Sequence, residues 1–281
     1  SAAAVAAGLC PLALGTQTIG SIIRPASFCG AIGFKPSYGR VSSQGVIPIS
    51  VSLDHVGFFA QDVAGIKLTA AQLCHDWQAE LASSEKPVLG IPTGPYLQKA
   101  GAEGLDHFQT VIQKLEEADF LVQAVEVLEE FDEIVAWHND LMAGEMAQVH
   151  RDWFGQYKEL YHPKTAALIE RGHQVPASSL RVYAAARERL RDELEDLMAE
   201  YRLSLWIAPA AVGTAPHGLE STGDPIMNLP WTNAGLPAIS LPSGFGPNGL
   251  PLGVQLIGRW QDDEKLLAWA EQVAAVLASG D

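Results

Sequence analysis

The residues from Gly15 to Ser21 read Gly-Thr-Gln-Thr-Ile-Gly-Ser, and their types and spacing could do chemistry. A serine hydroxyl acts as a nucleophile only when a neighbouring base takes its proton. It also needs N–H donors that face the oxygen on which negative charge develops. A glycine-rich turn that leads into a helical segment leaves a row of backbone N–H groups without acceptors, which favours an anion. This loop therefore predicts a serine nucleophile beside an oxyanion hole.

The pattern assigns these roles residue by residue. Ser21 is the candidate nucleophile, and the backbone N–H groups of Thr18, Ile19, Gly20 and Ser21 are the candidate oxyanion donors. Taken alone, Gly-Thr-x-x-x-Gly-Ser is more often an ordinary loop, so both interpretations stay open at this point. A phosphate-binding loop is disfavoured because no Gly-Lys-Ser/Thr follows, and the sequence has no Gly-x-Ser-x-Gly nucleophile elbow.

Composition and charge restrict the class of partner. The formal net charge is −15 at pH 7 and no Lys/Arg run occurs, which argues against nucleic acid and an anionic membrane surface. No stretch reaches the ~20 apolar residues that span a bilayer. The cysteines Cys10, Cys29 and Cys74 are scattered, as free thiols in a reducing compartment are, so we expect a cytoplasmic protein. The histidines lack the spacing of a metal site, and we expect neither metal nor cofactor.

Apolar periodicity predicts strands and helices that follow one another along most of the chain. Short apolar runs predict strands at Leu9–Leu14, Ala31–Phe34, Val88–Ile91, Phe120–Val127, Leu203–Ala208, Ala238–Leu241 and Leu252–Ile257. Helical spacing predicts helices at Ala2–Ala7, from about Ile22 to Cys29, from the Asp62 cap to about Cys74, at Glu103–Ala118 and at Asp263–Leu277. The charged segment 131–201 is predicted to be helical, with a long surface helix at Ser179–Tyr201.

The order of these elements predicts an α/β fold. The strand–helix–strand unit between Val88 and Val127 is typical of a parallel α/β layer. Apolar residues make up 48% of the 281 residues, enough for one large core. No repeat or Ser/Gly-rich linker divides the chain. We therefore predict a single domain over 1–281 that contains the helical section 131–201.

Several blocks of the sequence together resemble the amidase signature family. They are Ser1-Ala-Ala-Ala-Val-Ala-Ala-Gly8, Leu14-Gly-Thr-Gln-Thr-Ile-Gly-Ser-Ile-Ile-Arg-Pro-Ala-Ser-Phe-Cys-Gly30, Gly33-Phe-Lys-Pro-Ser-Tyr-Gly-Arg-Val-Ser42, Ser52-Leu-Asp-His-Val-Gly57, Asn233-Ala-Gly-Leu-Pro-Ala-Ile-Ser-Leu-Pro242 and Gly249-Leu-Pro-Leu-Gly-Val-Gln-Leu-Ile-Gly258. The blocks run in the family's order and reach both ends of the chain, whereas about 95–200 carries no matching motif. The resemblance favours the functional interpretation of Ser21.

The resemblance implies a three-layer α/β/α fold around one large mixed β-sheet, incomplete at its N-terminus. It also implies hydrolysis of a carboxamide through a Ser–cis-Ser–Lys triad, in which Ser21 matches the nucleophile. The family places the cis-serine a few residues before Ser1 and the lysine further upstream, so both are expected outside this chain. We therefore expect the chain to be inactive without that segment, and the abrupt start at Ser1 leaves a signal peptide undecided.

The residues around the nucleophile differ from the family pattern at two places. Ile19 stands where the family more often has Gly or Asp, and Arg24 is one place later than the family's arginine. Neither change removes the hydroxyl or an N–H group. Lys35, Asp54 and Arg24 are interpreted as buried polar residues that hold the active-site loops, and Gln17 as loop scaffolding.

Substrate contacts are predicted at the loops that follow two strands. In α/β sheets, ligands lie beyond the strand ends, where loops rich in Gly and Pro gather. The segments 208–217 and 221–231 are such loops, with Trp206, Met227 and Trp231 in or beside them. We predict that these three side chains line a pocket for an apolar or aromatic acyl group. A place in the hydrophobic core explains them equally well.

These observations predict an amidohydrolase that cleaves a small carboxamide through a serine acyl-enzyme. The expected partner is a small-molecule amide, and a homodimer is compatible with this interpretation. One alternative is the amidase (A) component of a tRNA-dependent amidotransferase, which the absence of a basic cluster disfavours. The other is a non-catalytic family member with a binding or scaffolding role.

Overall fold

A computed structural model describes residues 1–78 and 85–279 of the chain. Its described strands are β1 (Leu12–Gln17), β2 (Ile32–Lys35), β3 (His55–Ala60), β4 (Leu89–Thr93), β5 (Val122–Glu126), β6 (Leu205–Pro209), β7 (Ala238–Phe245) and β8 (Pro251–Ile257). They form one sheet of eight strands in the spatial order β1-β3-β2-β7-β8-β6-β4-β5. The predicted large mixed sheet is thereby confirmed.

The predicted helices are present, and the charged section 131–201 is divided among several of them. The described helices are α1 (Ala2–Ala6), α2 (Ile23–Cys29), α3 (Val63–Leu73), α4 (Ala102–Glu117), α5 (Phe131–Val149), α6 (Arg151–Tyr157), α7 (Pro163–Gly172), α8 (Ala177–Glu200), α9 (Leu229–Ala234) and α10 (Asp263–Ala278). Asp62 caps α3 as its sequence predicts, because its Oδ1 accepts a hydrogen bond of 2.7 Å from the Gly65 N–H.

The sheet combines an antiparallel part with a parallel part. The neighbours β1/β3, β3/β2, β2/β7, β7/β8 and β8/β6 are antiparallel. The neighbours β6/β4 and β4/β5 are parallel. The predicted parallel strand–helix–strand unit is therefore β4–α4–β5.

Two hydrophobic clusters cover the two faces of the sheet, and β6 belongs to both. Successive side chains of a strand point to opposite faces. Leu205 and Ile207 lie in the first cluster, whereas Trp206 and Ala208 lie in the second. Helices α3, α4 and α10 complete the first cluster, and α5, α8 and α9 complete the second. This arrangement is the three-layer α/β/α fold.

The antiparallel edge of the sheet departs from the sequence-based prediction. Strand β3 was missed, although it lies between β1 and β2. Its run from Gly57 to Ala60 is buried throughout, so its sequence shows no alternation of apolar and polar residues. Strand β1 was predicted at Leu9–Leu14 but ends at Gln17, because Gly15–Gln17 pair with β3. The first residues of the predicted loop are therefore strand.

Within residues 1–78 and 85–279, no helix is long and apolar enough to cross a membrane. The same ranges contain no group of three or more His, Cys, Asp or Glu side chains that could hold a metal ion. The single-domain interpretation of 1–281 stays a prediction.

Candidate active site

The candidate loop connects the end of an edge strand to the first turn of a helix. Gln17 is the last residue of β1 and is paired with His55 of β3. Helix α2 begins at Ile23. Residues 18–22 therefore leave the sheet at one fixed end and enter a helix at the other.

The loop presents a row of backbone N–H groups that form no internal hydrogen bond. Within the described part of the chain, nothing accepts from the N–H of Thr18, Ile19, Gly20 or Ser21. Ser21 is exposed, and its hydroxyl likewise has no partner among the described residues. Unpaired N–H donors beside an accessible hydroxyl are the arrangement that an oxyanion hole requires. The geometry is thus compatible with the roles that the sequence predicts for all four residues.

Gln17 ties the two ends of the loop together. Its Oε1 accepts hydrogen bonds from the N–H groups of Ile22, at 2.7 Å, and Ile23, at 3.0 Å. Its Nε2 donates to Thr232 Oγ1 at 2.8 Å. Gln17 is almost fully buried, so these bonds are not shared with solvent. The loop-scaffolding interpretation of Gln17 agrees with these contacts.

Asp54 supports the same loop from the other side. Thr18 Oγ1 donates to Asp54 Oδ1 at 2.5 Å. The second carboxylate oxygen, Oδ2, accepts from the N–H groups of Ile49, at 2.7 Å, and Ser50, at 3.0 Å. One carboxylate therefore joins the oxyanion loop to the turn that precedes β3.

Gly20 lies so close to the segment before α9 that no side chain fits on it. A Cβ on Gly20 would lie 2.3 Å from Asn228 Oδ1 and 3.0 Å from Pro225 Cβ. Asn228 is buried and held in place by bonds from its Nδ2 to the Ala210 carbonyl, at 2.9 Å, and to Gln255 Oε1, at 3.2 Å. A glycine is therefore required at position 20.

Arg24 holds the loop that precedes α9. Its guanidinium donates to the Gly223 carbonyl at 3.0 Å and to Thr222 Oγ1 at 3.2 Å. Burial lowers the pKa of Arg24, and the nearby Asp224 carboxylate partly opposes that shift. These contacts agree with the expected structural role of Arg24.

Lys35 is fully buried and is bonded to backbone carbonyls. Its Nζ donates to Leu236 at 2.5 Å and to Pro36 at 3.2 Å. Burial lowers the pKa of Lys35 to about 7, although the Asp263 carboxylate opposes the shift. Since both carbonyls orient its amine, Lys35 holds the chain together at the end of β2, as the sequence analysis expects.

Two buried histidines lie behind the loop. His138 on α5 is fully buried, and its Nδ1 lies 3.2 Å from Asn233 Nδ2. Burial lowers its pKa to about 3, the Arg187 guanidinium lowers it further, and the adjacent Thr18 backbone raises it slightly. Burial also holds the pKa of His55 well below its ordinary value. Both rings are therefore neutral at pH 7.

The three predicted pocket residues lie in the core. Trp206, Met227 and Trp231 are fully buried in the cluster that also packs against Ile19. The indole Nε1 of Trp231 donates to Tyr96 Oη at 2.9 Å. Their burial favours support of the loop from below, and direct contact with a substrate stays a prediction.

A cavity of about 580 Å³ opens between α5, α8 and the segment after β5. Trp137 and Tyr183 line it as a stacked pair, with ring centroids 6.3 Å apart, and Asn233 also lines it. None of the three predicted pocket residues is among its lining side chains. The cavity shares Asn233 with the hydrogen bond to His138 behind the loop.

Sequence reasoning missed two residues that contact the loop, Thr232 and Asn228. Both stand shortly before the block that begins at Asn233, and this proximity was the available signal. Their partners Gln17 and Gly20 are far away in the sequence, so no spacing pattern connects them.

Comparison with known proteins places the whole arrangement in a family. The family model described as Amidase matches residues 1–267. The amidase (A) component of the glutamyl-tRNA(Gln) amidotransferase from Psychrobacter sp. (strain PRwf-1) is 31% identical over 328 aligned residues, which cover 96% of this chain and 64% of the relative. The corresponding component from Agathobacter rectalis is 32% identical, with 92% and 60% covered. The chain thus spans less than two thirds of these relatives.

Solved structures agree with the fold. A crystal structure of an amidase superposes with a TM-score of 0.88 at 28% identity, covering 98% of this chain and 65% of that chain. A fatty acid amide hydrolase superposes with a TM-score of 0.85 at 18% identity, covering 98% and 58%, and supports the fold alone.

Proposed function

Because the chain belongs to the amidase family, we propose that Ser21 is the nucleophile that attacks the carbonyl carbon of an amide. The bond from Ser21 Oγ to that carbon forms while the hydroxyl proton passes to a base. Collapse of the tetrahedral intermediate breaks the C–N bond, and the protonated nitrogen leaves as ammonia or an amine. Attack on the resulting ester by water or another acceptor then releases the acyl group and restores Ser21.

The observation that carries this proposal is the row of unpaired N–H groups beside an exposed serine. Thr18, Ile19, Gly20 and Ser21 supply the donors, and none of them is committed to another acceptor within the described residues. Each donor that faces the developing oxyanion contributes about 3–4 kcal/mol to transition-state stabilisation. An ordinary loop would satisfy such groups with its own carbonyls or side chains.

The base in this proposal is the cis-serine and lysine pair that the family resemblance places before Ser1. Lys35 is unsuited to that role, because it is fully buried and its amine is bonded to two carbonyls. The activity is therefore proposed for the protein that carries both the upstream pair and residues 1–281.

The curated relatives favour a component of an amidotransferase over a free amidohydrolase. The relatives at 31% and 32% identity are named for glutamyl-tRNA(Gln) amidotransferase. In that case Ser21 would release ammonia from an amide donor for use by a partner subunit. An independent hydrolase of small amides is compatible with the same site, as the solved amidase at 28% identity illustrates.

The decisive experiment labels the full-length protein with a fluorophosphonate and maps the modified residue by mass spectrometry. We expect the label on Ser21, and we expect Ser21→Ala to abolish both labelling and ammonia release. Ser178→Ala, which removes another exposed serine on α8, is the matched control and should behave as the wild type. Amidase activity that survives in Ser21→Ala would refute the proposal.

A second measurement separates the alternatives. An amidotransferase component should co-purify with partner subunits and release ammonia from glutamine, whereas a free hydrolase should act alone on other carboxamides. A protein that folds, binds amides and neither labels nor hydrolyses them would be the non-catalytic alternative.

A further inference from the structure

The hydroxyl of Thr232 holds the middle of the oxyanion loop across a large sequence separation. Thr232 Oγ1 donates to the carbonyl of Ile19 at 2.7 Å. The same oxygen accepts from Gln17 Nε2 at 2.8 Å. Thr232 is fully buried on α9, so water does not compete for either bond.

The neighbours of this relay determine the direction of each hydrogen. Gln17 Oε1 accepts from the N–H groups of Ile22 and Ile23, so the NH₂ end of Gln17 must face Thr232. A hydroxyl has one hydrogen, and here Gln17 donates to its oxygen. The hydrogen of Thr232 is therefore directed to the Ile19 carbonyl.

Peptide geometry turns this contact into a statement about the neighbouring N–H. In a planar trans peptide unit the carbonyl and the N–H point in opposite directions. Capture of the Ile19 carbonyl by Thr232 therefore points the N–H of Gly20 away from α9. That N–H has no acceptor among the described residues.

We propose that Thr232 and Gln17 are positioning residues, which aim the Gly20 N–H at the oxygen that becomes negative during amide cleavage. This inference rests on the proposed role of Ser21. Neither side chain touches the reacting atoms. They act by preventing rotation of the Ile19–Gly20 peptide unit, which would otherwise offer its carbonyl to the oxyanion.

Removal of the Thr232 hydroxyl should weaken catalysis more than substrate binding. Thr232→Val keeps the shape of the side chain but leaves the Ile19 carbonyl without its donor. A misplacement of about 1 Å can cost on the order of a hundredfold in rate. We expect kcat to fall by roughly 10- to 100-fold with KM within about twofold, because the aimed N–H acts mainly on the transition state.

The experiment compares Thr232→Val and Thr232→Ser in the full-length protein. Thr232→Ser retains the hydroxyl and should keep kcat within about threefold of the wild type, a difference of well under 1 kcal/mol. Thr69→Val is the matched control, because Thr69 Oγ1 also donates to a backbone carbonyl, that of Gly65 at 2.8 Å, but on α3. An aldehyde that forms a tetrahedral adduct with the serine should lose affinity for Thr232→Val by the same factor as kcat.

Two outcomes would overturn the inference. One is a Thr232→Val protein whose kcat and aldehyde affinity match those of Thr69→Val. The other is a loss that Thr232→Ser shares in full, since the hydroxyl would then be irrelevant. If Thr232→Val does not fold, Thr232→Ala and Thr232→Ser differ only in the hydroxyl and decide the question.

The same series separates this inference from the proposed function. If Ser21→Ala retains the wild-type activity, the proposed nucleophile is wrong. Amide hydrogen exchange at Ile19 and Gly20 then reports on the relay alone. Faster exchange in Thr232→Val than in Thr69→Val supports the positioning role, and equal rates refute it.

Discussion

Thr18 and Asp54 are joined by a hydrogen bond of 2.5 Å from the threonine hydroxyl to Oδ1 of the carboxylate. The bond connects the first residue of the oxyanion loop to the turn before β3. Asp54 also accepts the N–H groups of Ile49 and Ser50 through its other oxygen. The side chain thus fixes the loop and its support together, and the loop should move when the carboxylate is removed.

We predict that Asp54→Ala lowers both stability and activity. Three donors lose their acceptor, and each unsatisfied donor costs about 1–3 kcal/mol where water cannot replace the carboxylate. The free energy of unfolding should fall by about 2 kcal/mol, and kcat should fall at least tenfold because Thr18 is released. Urea titrations and steady-state kinetics on the same preparations measure the two effects.

Asp62→Ala is the control for Asp54→Ala. Asp62 also accepts a backbone N–H, that of Gly65, but it caps α3. Its loss should cost about 1 kcal/mol of stability. A fall in kcat as large as that of Asp54→Ala would show that general destabilisation, and not release of Thr18, lowers the rate.

Gly20→Ala should displace the oxyanion loop. The new methyl group would lie 2.3 Å from Asn228 Oδ1, and Asn228 is buried and bonded on its amide side. Overpacking of this kind costs about 1–3 kcal/mol. We expect a lower melting temperature and a loss of kcat of at least tenfold, because the strain falls on a donor of the hole.

The control for this substitution is Gly155→Ala. A Cβ at Gly155 meets nothing within 4 Å, and the residue lies in α6. Alanine in a helix is favoured over glycine by up to about 1 kcal/mol, so this variant should be as stable as the wild type or more stable. If Gly20→Ala matches it in melting temperature and kcat, the loop has room that the structure does not show.

His138 predicts a loss of stability in mild acid. Burial holds its folded-state pKa at about 3, whereas an unfolded histidine titrates near 6.5. Between these values the unfolded state binds the extra proton, so the free energy of unfolding falls as pH falls. The fall attributable to His138 should be about 2 kcal/mol between pH 7 and pH 5.

Urea titrations at several pH values measure this slope. His138→Gln removes the titration, so its stability should depend less on pH than that of the wild type, even if its absolute stability is lower. His55 contributes in the same direction in both proteins and cancels in the comparison. The control His217→Gln changes an exposed histidine and should keep the wild-type slope. An unchanged slope in His138→Gln would contradict the assigned pKa.

Local sequence signals predicted the elements that depend on local interactions. The Asp62 cap and the helix after it are visible in a short window, because the capping bond spans three residues. Strand β3 was missed because both of its faces are covered, so its run from Gly57 to Ala60 has no period. Helix α9 was interpreted as loop, since its six residues are too few for a helical period.

The candidate site divides in the same way. Ser21 and the donors of the hole stand in one short block, so a pattern could find them. The residues that orient this block come from elsewhere: Thr232 reaches Gln17 across 215 positions, and Asp54 reaches Thr18 across 36. Such contacts are determined by the order of strands in the sheet, which the sequence does not state locally.

Trp231→Phe tests the predicted acyl pocket against the core position of the three apolar side chains. Trp231 is fully buried and donates to Tyr96 Oη at 2.9 Å. The substitution removes this bond and leaves a small cavity, which should cost about 1–3 kcal/mol of stability. If the side chain only supports the loop from below, the relative kcat/KM values for small, aliphatic and aromatic amides should keep their order. Trp153→Phe, which changes an exposed tryptophan on α6, is the control and should alter neither stability nor that order. A change in order by more than tenfold in Trp231→Phe alone would place the indole against the acyl group, because uniform loosening of the core scales all substrates alike.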